Sequence, residues 1–289
     1  MKILIAGGTG FIGSEIARII AQDGHHQIII LSRNQGRAGD ITKVETLKNK
    51  FDDIDVVIQC VQFPGHPVQN LSKGYTYEKY DAEGTENLCY VIKNTAVKRI
   101  IYISGAGTDS LRQEPWFKAK VRAEKAVKET GKEYVIFRPS WVYGPNDRSM
   151  NRFIEFGKHL PLMPVIGDGQ SRVAPVFVSD LAELCFRAIT TPPNAHETID
   201  VGGPEILTMN EVQKLVLKLL GKNKPLVHQP IWLMKIAGSM MTKVLSHPPL
   251  SAEAVDFVNM DIPVDGKPAE KLFDYKLKSV ENALKSYLQ

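Results

Sequence analysis

Short apolar runs alternate with longer stretches of helical periodicity through the first half of the chain. Residues 3–6, 27–31, 56–61, 99–103 and 134–137 read as buried strands, being short, continuous and rich in Ile and Val. Residues 12–22, 83–94 and 115–129 repeat apolar positions every three to four residues and read as helices. Strand and helix in alternation predict an α/β fold, a Rossmann-type doubly wound parallel sheet with helices on both faces. Runs at 173–178 and 198–201 flank a helical pattern at 180–189 and are expected to return to the sheet or its edge.

After about Tyr143 the texture changes. Pro145, Pro161, Pro164, Gly167 and Gly169 punctuate the stretch to Ser171, and a largely helical tail follows Gly203. These shifts predict a Rossmann domain of 1–145 and 171–202, interleaved with a smaller, mostly helical C-terminal domain of 146–170 and 203–289. In the tail, Thr208 and Glu211 have the spacing of a capping box and Gly221 stands where a helix C-cap belongs. Residues 231–245 form an apolar helix interrupted by Lys235, Gly238, Ser239, Thr242 and Lys243. Its wide apolar face either packs over the sheet or a ligand pocket, docks on a protein partner, or lies in a membrane interface. It is too short to span a bilayer.

The join between the first strand and first helix carries candidate chemistry. The sequence KILIAGGTGFIG places Gly7, Gly10 and Gly13 at every third position. A diphosphate approaches where the backbone turns sharply without side chains, and a helix N-terminus beginning there favours its charge. Gly7 permits the turn, Gly10 admits the pyrophosphate, and Gly13 lets the helix pack on the strand. Thr9, Phe11 and Ile12 complete this cofactor-binding turn, and Val61, ending the run 56–61, is a further contact candidate. The first gap of two residues differs from the commonest dehydrogenase fingerprint, which has one.

Composition narrows the ligand class. With 289 residues, 43% hydrophobic, the chain can bury a sizeable core. A net charge of +4 suits small anionic ligands and falls short of a nucleic-acid-binding face, so no nucleic-acid partner is expected. Cys60, Cys89 and Cys185 have neither disulfide nor metal spacing, and the seven histidines are scattered, so no metal site is expected. Met1 and Lys2 lead straight into the first strand, leaving no room for a leader peptide. Cytoplasm is the expected location, with peripheral membrane attachment left open.

The second strand ends in Ser32, Arg33 and Asn34 without the carboxylate that selects NAD. A hydroxyl and a guanidinium there suit a phosphate monoester, so NADP(H) is favoured, with NAD(H) left open. Arg33 is the candidate 2′-phosphate ligand, with Arg37 in reserve; the alternative is an ordinary exposed loop arginine.

Six stretches in this order carry a family resemblance: GGTGFIG at Gly7, AEGTENL at Ala82, RIIYISG at Arg99, the helical Lys120, FRPSWVYGP at Phe137 and PVFVSDLAE at Pro175. Over nearly the whole chain the set resembles the extended and atypical short-chain dehydrogenase/reductase superfamily. RPSWVYGPNDRSMNRF, VGGPEILTMNEV and the apolar helix after them are most similar to the branch of the dehydrogenase-like accessory subunit of respiratory complex I. That resemblance implies a tightly held nicotinamide dinucleotide in a structural role and a link to quinone metabolism. It also implies that Asp40 accepts from the adenine amine and Ile41 covers the ring; the alternative is a loop aspartate capping the next short helix.

Active members of the superfamily use a tyrosine as proton donor and a lysine one helical turn later to hold the nicotinamide ribose. Here Lys120 matches the lysine, and Trp116 stands at the tyrosine position. An indole N–H only donates and cannot exchange a proton near neutral pH. Ala106 aligns with the catalytic serine or threonine, with Ser104 at the strand end, and Asp81 replaces an asparagine. The resemblance assigns Ser104, Lys120, Pro139 and Ser140 to the nicotinamide end. Tyr143, Tyr102, Lys118 and Asp81 are substitute donors.

Three readings follow. In the first the chain is a cofactor-bound scaffold or accessory protein, with helix 231–245 as its docking surface. In the second it is an NADPH-dependent oxidoreductase of a lipophilic carbonyl or quinone-type small molecule, using a non-standard proton donor. In the third it is an NADP(H)-sensing regulator.

Overall fold

The computed structural model describes residues 1–109, 111–190, 195–244 and 250–288. Its first strand, β1 (Lys2–Ala6), buries Ile3, Leu4, Ile5 and Ala6 completely, as an all-apolar run must when both faces of a sheet are covered. The chain continues through α1 (Phe11–Asp23), β2 (Gln27–Ser32), the short β3 (Arg37–Ala38) and β4 (Val56–Gln59). It then runs through α2 (Gly84–Ile92), β5 (Arg99–Ile103), α3 (Pro115–Lys128) and β6 (Glu133–Pro139).

Seven parallel strands form the main sheet, in the order His196–Val201, β6, β5, β4, β1, β2, β3. The order reverses between β1 and β4, the switch point where a doubly wound sheet opens a crevice beyond its strand ends. Gly7, Cys60 and Ser104 directly follow β1, β4 and β5, so those three turns gather at one edge of the sheet. A core of Leu4, Leu31, Val57, Leu88, Ile100, Tyr102 and Ile136 packs on the sheet beneath α2 and α3.

Helix α2 is preceded by a π-helical turn, Glu78–Glu83, so the element expected at 83–94 starts earlier and less regularly. Gly84 lies at that junction, where an added Cβ would fall 2.6 Å from Ile41 Cδ1.

Two compact units divide the chain. One holds Met1–Pro139, Val178–Val201 and Pro268–Lys276; the other holds Ser140–Phe177, Gly202–Lys267 and the chain from Leu277. This division differs from the expected one in placing 140–145, 171–177 and Gly202 in the second unit and Pro268–Lys276 in the first.

The second unit contains the helices Ser149–His159, Met209–Leu219, Ile231–Val244, Ala252–Val258 and Val280–Lys285, with three two-stranded ladders. The run 173–178 does not return to the main sheet. Pro175 lacks the N–H a continuous ladder needs, and the run breaks into Arg172–Val173 and Val176–Phe177, each in its own small ladder. Thr208 and Glu211 form the capping box, and Gly221 takes a left-handed φ of +63° after the helix they open. Leu245, the last residue of the expected apolar helix, lies outside the described residues.

Candidate dinucleotide site

Gly7 has φ +86°, and a Cβ on it would lie 2.9 Å from Val61 N and 3.0 Å from Cys60 C. The turn is therefore both left-handed and pressed against the backbone after β4, which brings Val61 to its side. Gly10 caps α1, its N–H donating to Gly7 O at 2.9 Å. A Cβ on Gly10 would meet only Gly7 O, at 3.2 Å, so its outer side is open to a ligand. Gly13 packs on the turn so closely that a Cβ would overlap Gly7 O.

No side chain caps α1 and no acidic residue stands in its first turn, so the amides of Phe11 and Ile12 and the positive helix end are left for an anion. Thr9 is exposed and shares a groove with Ile28, Ile30, Gln35 and Gly36. These features fit a dinucleotide diphosphate. Gly8 escaped the sequence reading: its missing side chain makes room for Ile30, and the Gly-Gly doublet was the signal.

Around the end of β2 the structure corrects several expectations. Ser32 Oγ donates to Gln35 O at 2.6 Å and accepts from Gln35 N at 2.8 Å, so this hydroxyl closes its own turn. Arg37 lines the same groove as Thr9 but grips both carboxylate oxygens of Asp53, at 2.7 and 3.2 Å, and also donates to Lys50 O, so a phosphate would have to compete with that surface pair for it. Arg33 is exposed and has no hydrogen-bond or ion-pair partner among the described residues.

Asp40 Oδ1 accepts from Thr42 N and Thr42 Oγ1 at 2.9 and 2.8 Å, the geometry of a loop aspartate closing a turn ahead of the 3-10 turn Val44–Leu47. Ile41 is 4% exposed and packs into the core, so its side chain is not offered to an adenine ring. Tyr80 was missed: burial holds its hydroxyl above the ordinary phenol value, and Arg33 and Asp40 both act on it electrostatically.

At the opposite end of the site α3 begins with Pro115 at its first turn and places Trp116 and Lys120 four residues apart, on one face. The Trp116 ring lies against Gly105, where a Cβ would overlap the indole. Ala106 is buried and its N–H donates to Pro139 O at 2.8 Å.

Lys120 and Asp81 are both buried and ion-pair at 2.9 Å. Lys120 Nζ also donates to Ile103 O at 3.2 Å and Tyr102 Oη at 3.3 Å. Burial alone would lower the ammonium, but the Asp81 carboxylate and Tyr102 outweigh it and hold Lys120 above the ordinary lysine value. Burial raises the Asp81 carboxyl against the pull of Lys120, and it raises Tyr102 as well.

The expected nicotinamide contacts have different partners. Ser104 is buried and donates to Glu124 Oε1 at 2.6 Å, and Arg138 clasps that carboxylate at 2.8 and 2.6 Å, so the Ser104 hydroxyl serves the fold. Glu124, Arg138 and the buried Thr108, which donates to Gly105 O at 2.7 Å, were not predicted. The position of Glu124, one turn beyond Lys120, was the available signal. Pro139 ends β6, whereas Ser140 opens the second unit and its Oγ accepts from Ala174 N at 3.4 Å. Tyr143 is fully buried in the second unit, and Lys118 is exposed.

A parallel sheet with a glycine turn and an uncapped helix at its switch point defines a Rossmann-type dinucleotide-binding protein. The sequence profile of the NAD dependent epimerase/dehydratase family matches residues 3–202, and the chain belongs to that family. Nicotinamide dinucleotide binding is typical of the family.

The chain is 24% identical over 271 residues to the mitochondrial NADH dehydrogenase [ubiquinone] 1 alpha subcomplex subunit 9 of Arabidopsis thaliana, covering 89% of this chain and 67% of the relative. It is also 24% identical over 280 residues to the mitochondrial NADH-ubiquinone oxidoreductase 40 kDa subunit of Neurospora crassa, covering 93% and 73%. Among solved structures, UDP-glucuronic acid 4-epimerase from Bacillus cereus, in complex with UDP-glucuronic acid and NAD, superposes with a TM-score of 0.75 at 19% identity. That match covers 100% of this chain and 99% of the other. It speaks for the fold alone.

Proposed function

We propose that this chain is a dinucleotide-bound scaffold or accessory protein of respiratory or quinone metabolism, holding NADP(H) without running the family's proton transfer. The observation that carries this reading is the state of Lys120. An ammonium has three N–H bonds, and the three groups around this one are Asp81, Tyr102 and Ile103 O. Two of its N–H groups are given to Tyr102 Oη and Ile103 O, and its charge is balanced by the buried Asp81 carboxylate rather than left to acidify a phenol. Beside it stands Trp116, whose indole covers Gly105 and cannot exchange a proton.

A bound nicotinamide dinucleotide would supply hydride chemistry. The residues proposed to hold it are Gly7, Gly10, Phe11, Ile12 and Gly13 at the diphosphate and Arg33 at the 2′-phosphate. The exposed guanidinium of Arg33, which makes no hydrogen bond or ion pair among the described residues, supports NADP(H), since Arg and phosphate form charge-assisted bonds. Similarity to two respiratory-complex subunits supports the accessory role.

Native mass spectrometry of the purified protein, coupled to an NADPH oxidation assay against quinones and ketones, tests the proposal. Retained NADP(H) with no sustained oxidation is the expected result. Steady turnover would overturn the scaffold reading in favour of a reductase.

A further inference from the structure

The helix Ile231–Val244 turns its apolar face outward. Trp232 is 64% exposed and Met240 63%, and Leu233 and Ile236 beside them are exposed as well. At 3.6 residues per turn these four side chains span about 100° of arc. The opposite face is fixed against the protein. Gly238 sits so close to the start of the helix Ala252–Val258 that a Cβ would lie 2.7 Å from Ser251 C, and Lys235 Nζ reaches Asp256 Oδ1 at 2.6 Å. The helix cannot roll to bury its stripe without breaking both contacts.

The geometry points to a lipid bilayer carrying anionic headgroups as the occupant of this face. Size argues first. A 14-residue helix is about 21 Å long and its stripe about 10 Å wide, on the order of 200 Å², whereas a stable protein partner needs about 800 Å² from each side. An interfacial helix needs only to sink one apolar face about 5–10 Å into the headgroup boundary.

Composition argues second. The stripe holds an aromatic and three flexible or branched aliphatic side chains without a hydrogen-bonding group besides the indole N–H, which suits an interface that is apolar below and wet above. Charge argues third. The helix has no acidic residue, its Lys235 is neutralised by Asp256, and most of the chain's excess positive charge lies in the second unit, which complements an anionic leaflet. None of this depends on the dinucleotide reading.

Flotation of the full chain with phosphatidylcholine vesicles, with and without phosphatidylglycerol, tests the assignment beside an Ile236→Gln/Met240→Gln double variant. The wild type is expected to float with the anionic vesicles, and the variant to lose about tenfold or more in partitioning. Unchanged circular dichroism and an unchanged thermal unfolding midpoint in the variant establish that the fold survived. Absence of flotation, or equal flotation of the two proteins, would overturn the assignment. So would a concentration-dependent dimer in sedimentation that the variant abolishes, since a second copy would then be the occupant.

Discussion

Lys120 illustrates how a side chain's chemistry is set by who takes its hydrogen bonds. Removing its buried counter-ion should be costly: Asp81→Asn is expected to destabilise the protein by about 3–5 kcal/mol in urea unfolding, because it strands a buried ammonium. The double variant Asp81→Asn/Lys120→Met should recover most of that loss, since neither charge then remains.

The same pair predicts a pH dependence. Lys120 is raised in the folded state, so its contribution is present below the ordinary value of 10.5 and is lost as pH climbs through the folded value. Tyr102, also raised by burial, has the same sign. Urea midpoints measured across the alkaline range should therefore fall, and fall less steeply in the Lys120→Met background. At the other end of the site, Arg33→Ala is expected to weaken NADPH binding about tenfold or more in calorimetry, leaving NADH affinity unchanged.

At the scale of elements, the glycine turn and α1 behave as one part. Gly13 touches Gly7 O with no space for a methyl group, and the clashing atom is backbone, which cannot rotate away. Gly13→Ala should shift α1 off β1, cost about 1–3 kcal/mol of stability and abolish dinucleotide binding in the same calorimetric titration. This spacing was legible in the sequence because Gly10 and Gly13 act on Gly7 within one turn, whereas the approach of Cys60 and Val61 to Gly7 is a product of the fold. The fate of 173–178 was less legible. Its apolar content fits a strand, and Pro175 told against a continuous one, but only the pairings with Val142–Tyr143 and Leu207–Thr208 decided where the pieces went.

For the molecule as a whole, ligand and fold should be linked. A dinucleotide held at 100 times its dissociation constant adds about 2.7 kcal/mol to the unfolding free energy. Thermal unfolding with and without NADPH should show the midpoint rise, and Gly13→Ala should remove the rise. The outward stripe of Ile231–Val244 belongs to this scale too, since exposure is a property of the whole surface. Periodicity revealed the wide apolar face, but whether that face was core or surface depended on Gly238 settling against Ser251.

The sequence by itself determined the strands β1, β2, β4, β5 and β6, their alternation with helices and the glycine spacing of the diphosphate turn, because strand periodicity and glycine's tolerance of positive φ act locally. It also supplied the Trp116 and Lys120 pair at helical spacing. Tertiary structure alone decided what the polar side chains were free to do. Ser32 closed its own turn, Arg37 went to Asp53, Ile41 to the core, Ser104 to Glu124 and Lys120 to Asp81. Most of those partners lie on other elements, and a donor's availability is fixed only once folding has brought its acceptors within reach.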